Sequence, residues 1–217
     1  KNLADKIDCF RRNLSVYQKH GIEIPRRSAL IWGPAGCGKT SSLIHVANKY
    51  LAQKDTAIVI WGTDKVDPAH VKDFVKRFEY KDVKFLIVIA EDVGGVEIDQ
   101  VRMKSTASLL SLLDNKEKTF TIPVFIIATT NHPENFLGNI ANRPGRFDDK
   151  LFVDYPSADV RYDLFKFFSK GDYPETTLAA IRNAKYKEFS AAHLQEIVIR
   201  SAIDRKSTRP NSSHGYI

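Results

Sequence analysis

Cysteine is scarce in this chain. Only Cys9 and Cys37 occur in 217 residues, too few for a disulfide framework, and no Cys/His spacing matches a metal-binding pattern. A reducing, cytoplasmic compartment is therefore expected. No apolar run approaches the roughly 20 residues that a membrane helix needs, so no membrane association is expected, and the opening does not read as a signal peptide. Lys1 rather than Met stands first, so the start is expected to be a cut from a longer protein. No run of basic residues alternates with aromatics, as a surface for single strands requires. The formal net charge of +7 is read as a mixed-charge surface with a lysine excess, and nucleic acid is disfavoured as a partner.

The end of the chain also lacks apolar periodicity. Asp204 to Ile217 has the composition of a disordered tail. Asp204 to His214 also matches one frame of a short-read sequencing adapter with a base changed, so this tail is set aside from fold reasoning. Without Asp204, Arg205, Lys206 and Arg209 the net charge falls to +5. The natural protein is expected to continue differently after about Ile203.

What is present is a core. The apolar fraction of 43% suits one large domain or a medium domain with a small partner. Leu3, Ile7, Phe10, Leu14 and Tyr17 recur at spacings of three and four, which predicts one amphipathic helix stopped by Gly21 and Pro25. "SALIW" (28–32) predicts a strand, followed by a glycine-rich turn and a helix from Lys39 to about Gln53. Further strands are predicted at 56–62, 83–90, 121–130 and 150–156, and helices at 67–80 and 100–115. Unalternated apolar strands separated by amphipathic helices predict an α/β fold, a parallel sheet covered on both faces in three layers. After Pro156 only helices are predicted, capped by Ser157 and Ser190.

Three segments carry chemistry. "GPAGCGKT" (Gly33 to Thr40) fits G-x-x-x-x-G-K-[ST] between a predicted strand and a predicted helix, the context in which that motif is a phosphate-binding P-loop. Gly33, Pro34, Ala35, Gly36, Cys37, Gly38, Lys39, Thr40 and Ser41 form the expected ATP-binding set. Lys39 can reach the β- and γ-phosphates and Thr40 can ligate Mg²⁺. "LIVIAEDVGG" (86–95) ends an apolar run in Glu91 and Asp92. A strand ending in acids beside the first strand can put one carboxylate on the Mg²⁺ and the next on the attacking water. Two registers are open: Glu91 on the metal and Asp92 on the water, or Asp92 on the metal with Val93 where the base should be. "IIATTNHPEN" ends the next strand with Asn131, placed to hold the attacking water. "RPGRFD" supplies Arg143 and Arg146, candidates to neutralise transition-state charge in a neighbouring site.

In this order, GPAGCGKT, LIVIAED, ATTNHPEN and RPGRFD resemble the AAA ATPases within the AAA+ group of P-loop NTPases. The resemblance covers about Ile22 to Phe189. It implies that Asn131 is the sensor-1 residue, that Arg143 and Arg146 are arginine fingers reaching the neighbouring subunit's ATP, and that the helical end is a lid. "EFSAAHLQEIV" (188–198) is similar to a lid segment in which Ala191 and Ala192 stand where other branches place a sensor-2 arginine. The resemblance also implies a homo-oligomer, a hexameric ring that couples ATP hydrolysis to remodelling or unfolding a protein. The approach to the P-loop is similar to the mitochondrial Rieske-assembly branch, whose Glu-Asp strand end favours Glu91 for the metal and Asp92 for the water.

Two departures bear on function. "TDKVDPAH" stands where threading unfoldases carry an aromatic pore loop, and "NFLGNIAN" replaces the usual approach to RPGR. The expected organisation is an N-terminal helix and linker (1–27), an ATPase core (28–156), an incomplete helical lid (157–203) and the tail (204–217). The competing readings are a DNA-associated AAA+ module and an ATP-binding switch with little turnover.

Overall fold

The computed structural model describes residues 2–61, 82–94, 109, 113, 120–134, 146–184 and 188–207. It divides into two compact units, Lys1–Gly33 with Lys39–Val153, and Pro34–Gly38 with Asp154–Ile217.

The first unit is built on a parallel sheet of β1 (Arg26–Trp32), β2 (Thr56–Trp61), β3 (Phe85–Ala90), β4 (Val124–Thr130) and β5 (Asp149–Phe152), in the order β2-β3-β4-β1-β5. Every residue of β3 and β4 is buried, as continuous apolar strands require when both faces are covered. Alternate side chains go to opposite faces. Leu86, Val88, Val124, Ile126 and Ala128 join Leu30, Leu109, Leu113 and Phe120 on one face. Phe85, Ile87, Phe125 and Ile127 join Ile7, Phe10, Leu43, Val46 and Tyr50 on the other. That second face is covered by α1 (Leu3–Arg12) and α3 (Lys39–Leu51). The helix expected at 67–80 lies outside the described residues, as does most of the one at 100–115.

The expected N-terminal helix is two. α1 ends at Arg12, and α2 (Leu14–Lys19) follows Asn13. The Asn13 side chain donates to the Cys9 carbonyl at 2.7 Å, occupying an acceptor in the last turn of α1, while its amide turns to Phe10 O. A short polar side chain that bonds the local backbone competes with helix continuation in this way. The start of α1 is tied by a capping box, Asn2 accepting from the Asp5 amide at 2.8 Å and donating to its carboxylate at 3.2 Å. β1 begins two residues before the expected Ser28, because Arg26 and Arg27 pair with Val124 and Phe125. β4 starts only at Val124; Pro123 before it has no amide to give the ladder.

The second unit holds α4 (Ala158–Phe168), α5 (Glu175–Arg182) and α6 (Ala191–Ser207) around Phe165, Leu178, Leu194 and Val198. Ser157 caps α4, and the Ser190 hydroxyl accepts from the His193 amide at the start of α6. α5 was not foreseen. It is a short helix with one fully buried side chain, Leu178, so its periodicity is weak, and its end is held from outside. Buried Arg161 donates to the carbonyls of Ile181, Arg182 and Pro156, satisfying acceptors that a helix C-terminus leaves open. Among the described residues no helix is long and apolar enough to cross a membrane.

One ion cluster joins the edge strand to α1 and β1. Asp149 accepts from Lys6 and from Arg27 at 3.1 Å. Burial opposes its ionisation, but the hydrogen bonds and charges of Lys6 and Arg27 outweigh that and hold the carboxyl below its usual range. A carboxyl depressed in the folded state contributes stability above its unfolded pKa and loses it as pH falls through the folded one. Asp149→Asn is expected to cost about 1.5–3 kcal/mol in urea unfolding at pH 7. The cost should shrink as the wild type is titrated below about pH 4.

Candidate functional site

The parallel register decides what can meet. Trp32 lies opposite Thr130 and Ala90 opposite Ala128, so β1, β3 and β4 leave the sheet at the same edge. The residues that follow them are Gly33, Glu91 and Asn131. The acids do not sit on the strand beside β1, as the sequence suggested; β4 stands between β1 and β3. Strand order is a matter of crossover connections, which local patterns do not encode.

After Ala90 the chain turns. Asp92 adopts φ +48, a left-handed conformation that costs a non-glycine residue of order 1–3 kcal/mol and that short polar residues tolerate best. Two hydrogen bonds from one residue hold the turn. The Asp92 amide donates to the Thr129 hydroxyl at 3.0 Å, and the Val93 amide donates to the Thr129 carbonyl at 2.8 Å. The exposed Asp92 carboxylate then accepts from the Asn131 side-chain amide at 3.0 Å. Glu91 is half-buried, and Val93 is buried in the core with 2% exposure.

The P-loop residues fall in two groups. In the first unit, Lys39 opens α3, is 7% exposed, and donates from Nζ to the Gly33 carbonyl at 2.8 Å. Thr40 and Ser41 are exposed in the first turn of this 13-residue helix. Gly33 passes so close to β5's continuation that a Cβ would lie 2.0 Å from the Val153 carbonyl oxygen. Pro34 to Gly38 belong to the second unit, where the Ala192 amide donates to the Gly36 carbonyl at 3.2 Å. Gly38 is at φ +93, and a Cβ there would meet nothing within 4 Å. Glycine is needed at 38 for backbone conformation, then, and the space beside it is open. In the second unit, positive φ at Gly36 and Gly38 with Cys37 between them at negative φ is the alternation that turns successive amides into an anion-binding nest; in the first unit, the N-terminus of α3 by itself favours anions. These features fit polyphosphate.

Among the described residues no three His, Cys, Asp or Glu side chains converge to hold a metal. Mg²⁺ in nucleotide sites is held by one or two protein oxygens, waters and substrate phosphates; the exposed Thr40 and the half-buried Glu91 each carry an oxygen of that kind. Arg143 lies outside the described residues. Arg146 is 8% exposed, and its carbonyl accepts from Ser28 Oγ at 2.6 Å. Asp148 accepts from the Ser28 amide at 2.8 Å, and Phe147 joins the core, so Arg146 to Asp148 are anchored to the first unit through β1 and its core. Thr129 was missed by sequence reasoning. Its only local signal was a hydroxyl ending a strand two residues before Asn131.

A family model described as "ATPase family associated with various cellular activities (AAA)" matches residues 29–155. The ribosome biogenesis ATPase RIX7 of Saccharomyces cerevisiae is 27% identical over 206 residues, 87% of this chain and 23% of that protein. The ATP-dependent zinc metalloprotease FtsH 3 of Petrotoga mobilis is 27% identical over 214 residues, 89% of this chain and 31% of that protein. The proteasome-activating nucleotidase of Methanocella arvoryzae is 28% identical over 168 residues, 71% of this chain and 39% of that protein. The chain thus spans well under half the length of each.

Gly33→Ala tests the close approach to Val153. The backbone would have to move, and a loss of about 2–4 kcal/mol in denaturant unfolding is expected, with wild-type stability counting against the geometry.

Proposed function

Because the chain belongs to the AAA family of ATPases, we propose that it binds ATP with Mg²⁺ and hydrolyses it to remodel or unfold a protein partner. The observation that carries this reading is the 3.0 Å hydrogen bond between Asn131 and Asp92 on the tips of neighbouring strands. It joins the candidate water-polarising carboxylate to the candidate sensor. The working unit is a homo-oligomeric ring, hexameric as in the family generally. Relatives named for ribosome biogenesis and for proteasome activation support work on assemblies that contain protein. Two free cysteines, Cys9 and Cys37, support a reducing, cytoplasmic setting.

Each residue has a part. The amides of Gly33 to Thr40 hold the phosphates, and Lys39 leaves the Gly33 carbonyl for the β- and γ-phosphate oxygens. Thr40 and Glu91 would hold Mg²⁺, Glu91 partly through water. Mg²⁺, when bound, neutralises charge on the phosphate oxygens. Asp92 orients the attacking water and takes its proton, and Asn131 fixes both Asp92 and that water. Arg143 reaches the ATP of a neighbouring subunit; Arg146, buried at 8% exposure, would join it only by swinging its guanidinium out on ring assembly.

Phosphate release and nucleotide binding test the assignment together. Lys39→Ala should abolish ATP binding or turnover, and Asp92→Asn should bind ATP while kcat falls about 10²–10⁴-fold. Glu91→Gln should raise the Mg²⁺ concentration needed for half-maximal rate. Unchanged turnover in Asp92→Asn would refute this register. Stimulation of the wild type by single-stranded DNA would favour the DNA-associated reading, and tight ATP binding without phosphate release the switch. Arg143→Ala should be inactive alone and regain activity in mixed rings that supply an intact neighbour; no recovery at any mixing ratio would remove the finger.

A further inference from the structure

We propose that Thr129 is a positioning residue for hydrolysis, its hydroxyl holding Asp92 in the left-handed turn that presents the carboxylate to Asn131. The inference rests on the ATPase reading of Asp92 given above.

Thr129 is 3% exposed, so its hydroxyl does not serve solvent. It accepts from the Asp92 amide at 3.0 Å, while the same residue's carbonyl accepts from Val93 at 2.8 Å. The regular β3–β4 pairing ends at Ala90 and Ala128. Beyond it, Thr129 accepts two hydrogen bonds from the turn backbone, one on its hydroxyl and one on its carbonyl. A carbonyl alone would tether Val93 and leave Asp92 to rotate. The hydroxyl fixes the amide of the very residue whose φ is +48. With the Asp92 and Val93 amides both held, the peptide planes on either side of the Asp92 Cα are set and the Cβ direction with them, and the short side chain reaches the Asn131 amide at 3.0 Å.

The Asp92 carboxylate stands a single methylene from its own backbone, so it has little freedom to find the water by flexing. Its placement must come from the backbone, and the backbone is placed by Thr129. Adjacent Thr130 faces the other way along the strand, and its hydroxyl accepts from the His132 amide at 3.0 Å. Consecutive hydroxyls thus anchor the turn that carries Asp92 and the turn that follows Asn131.

The full 217-residue chain is compared as wild type, Thr129→Val, Thr129→Ser and Asp92→Asn, reading kcat, KM for ATP, ATP affinity, and exchange of the Asp92 amide by NMR. Thr129→Val should lower kcat roughly ten- to hundredfold, as misplaced catalytic groups do. KM and ATP affinity should stay within about twofold, and Asp92 amide exchange should accelerate, since the protecting acceptor is gone. Thr129→Ser should restore kcat and amide protection. Should Thr129→Val not fold, Thr129→Ala carries the same expectation. Wild-type kcat in Thr129→Val beside a collapsed kcat in Asp92→Asn would overturn the proposal and leave the ATPase reading standing. Equal losses in Thr129→Val and Thr129→Ser, or loss of ATP affinity, would make Thr129 a packing residue. Full turnover in Asp92→Asn would remove both the reading and the proposal.

Discussion

The site depends on the parallel pairing of β4 between β1 and β3. Side chains on these strands alternate between two separate cores, so a slip of one residue would send each apolar set to the wrong face. The hydrophobic pattern therefore locks the register, and the register places the ends of three strands along one edge. The proposed chemistry sits on residues just beyond those ends. Its positional accuracy is inherited from Ile87, Ile126, Ile127 and their neighbours, none of which touches a nucleotide in the proposed mechanism.

Where the ladder stops, the backbone departs from what sheets prefer. Asp92 takes a left-handed conformation, a cost that the surrounding hydrogen bonds must offset. They come from Thr129 and Asn131 on the neighbouring strand. Strain at this place, and ordinary geometry through the strands that lead to it, is the distribution expected where conformation serves chemistry.

Local features were legible in the sequence and long-range ones were not. The strands were read from unbroken apolar runs, and Ser157 and Ser190 from their places before helical patterns, since capping depends on three or four residues. The glycine-rich loop was legible because its amides need small residues at fixed spacing. The order β3-β4-β1 was not, because it depends on how crossovers pass over the sheet. Asn13 broke a helix whose apolar spacing continued through it; the spacing reports which face is buried and says nothing of a side chain that bonds Cys9 O. α5 depends on Arg161, a residue of another helix, for its C-terminal partners. Thr129 looked like any β-branched strand residue, and its role appears only once Asp92 is known to lie beside it.

The glycines of the P-loop answer to different constraints, which a motif conceals. Gly33 is required by the backbone of Val153, and Gly38 by its own φ. Gly36 is crowded by the start of α6, where an added Cβ would lie 2.7 Å from Ser190 Oγ and 2.9 Å from the Ala192 Cβ. A cradle for anions needs amides as its donors, and carbonyls turned toward the ligand would repel it. Three carbonyls of the loop are engaged by donors, Gly33 O by Lys39 Nζ, Ala35 O by Cys37 Sγ and Gly36 O by the Ala192 amide. Ala192 carries no charged side chain to meet a phosphate. What it contributes is a backbone donor that occupies a carbonyl oxygen of the loop. The small side chain at 192, whose Cβ would lie 2.9 Å from a Cβ at 36, permits that approach, so its contribution to the loop is steric and through the main chain.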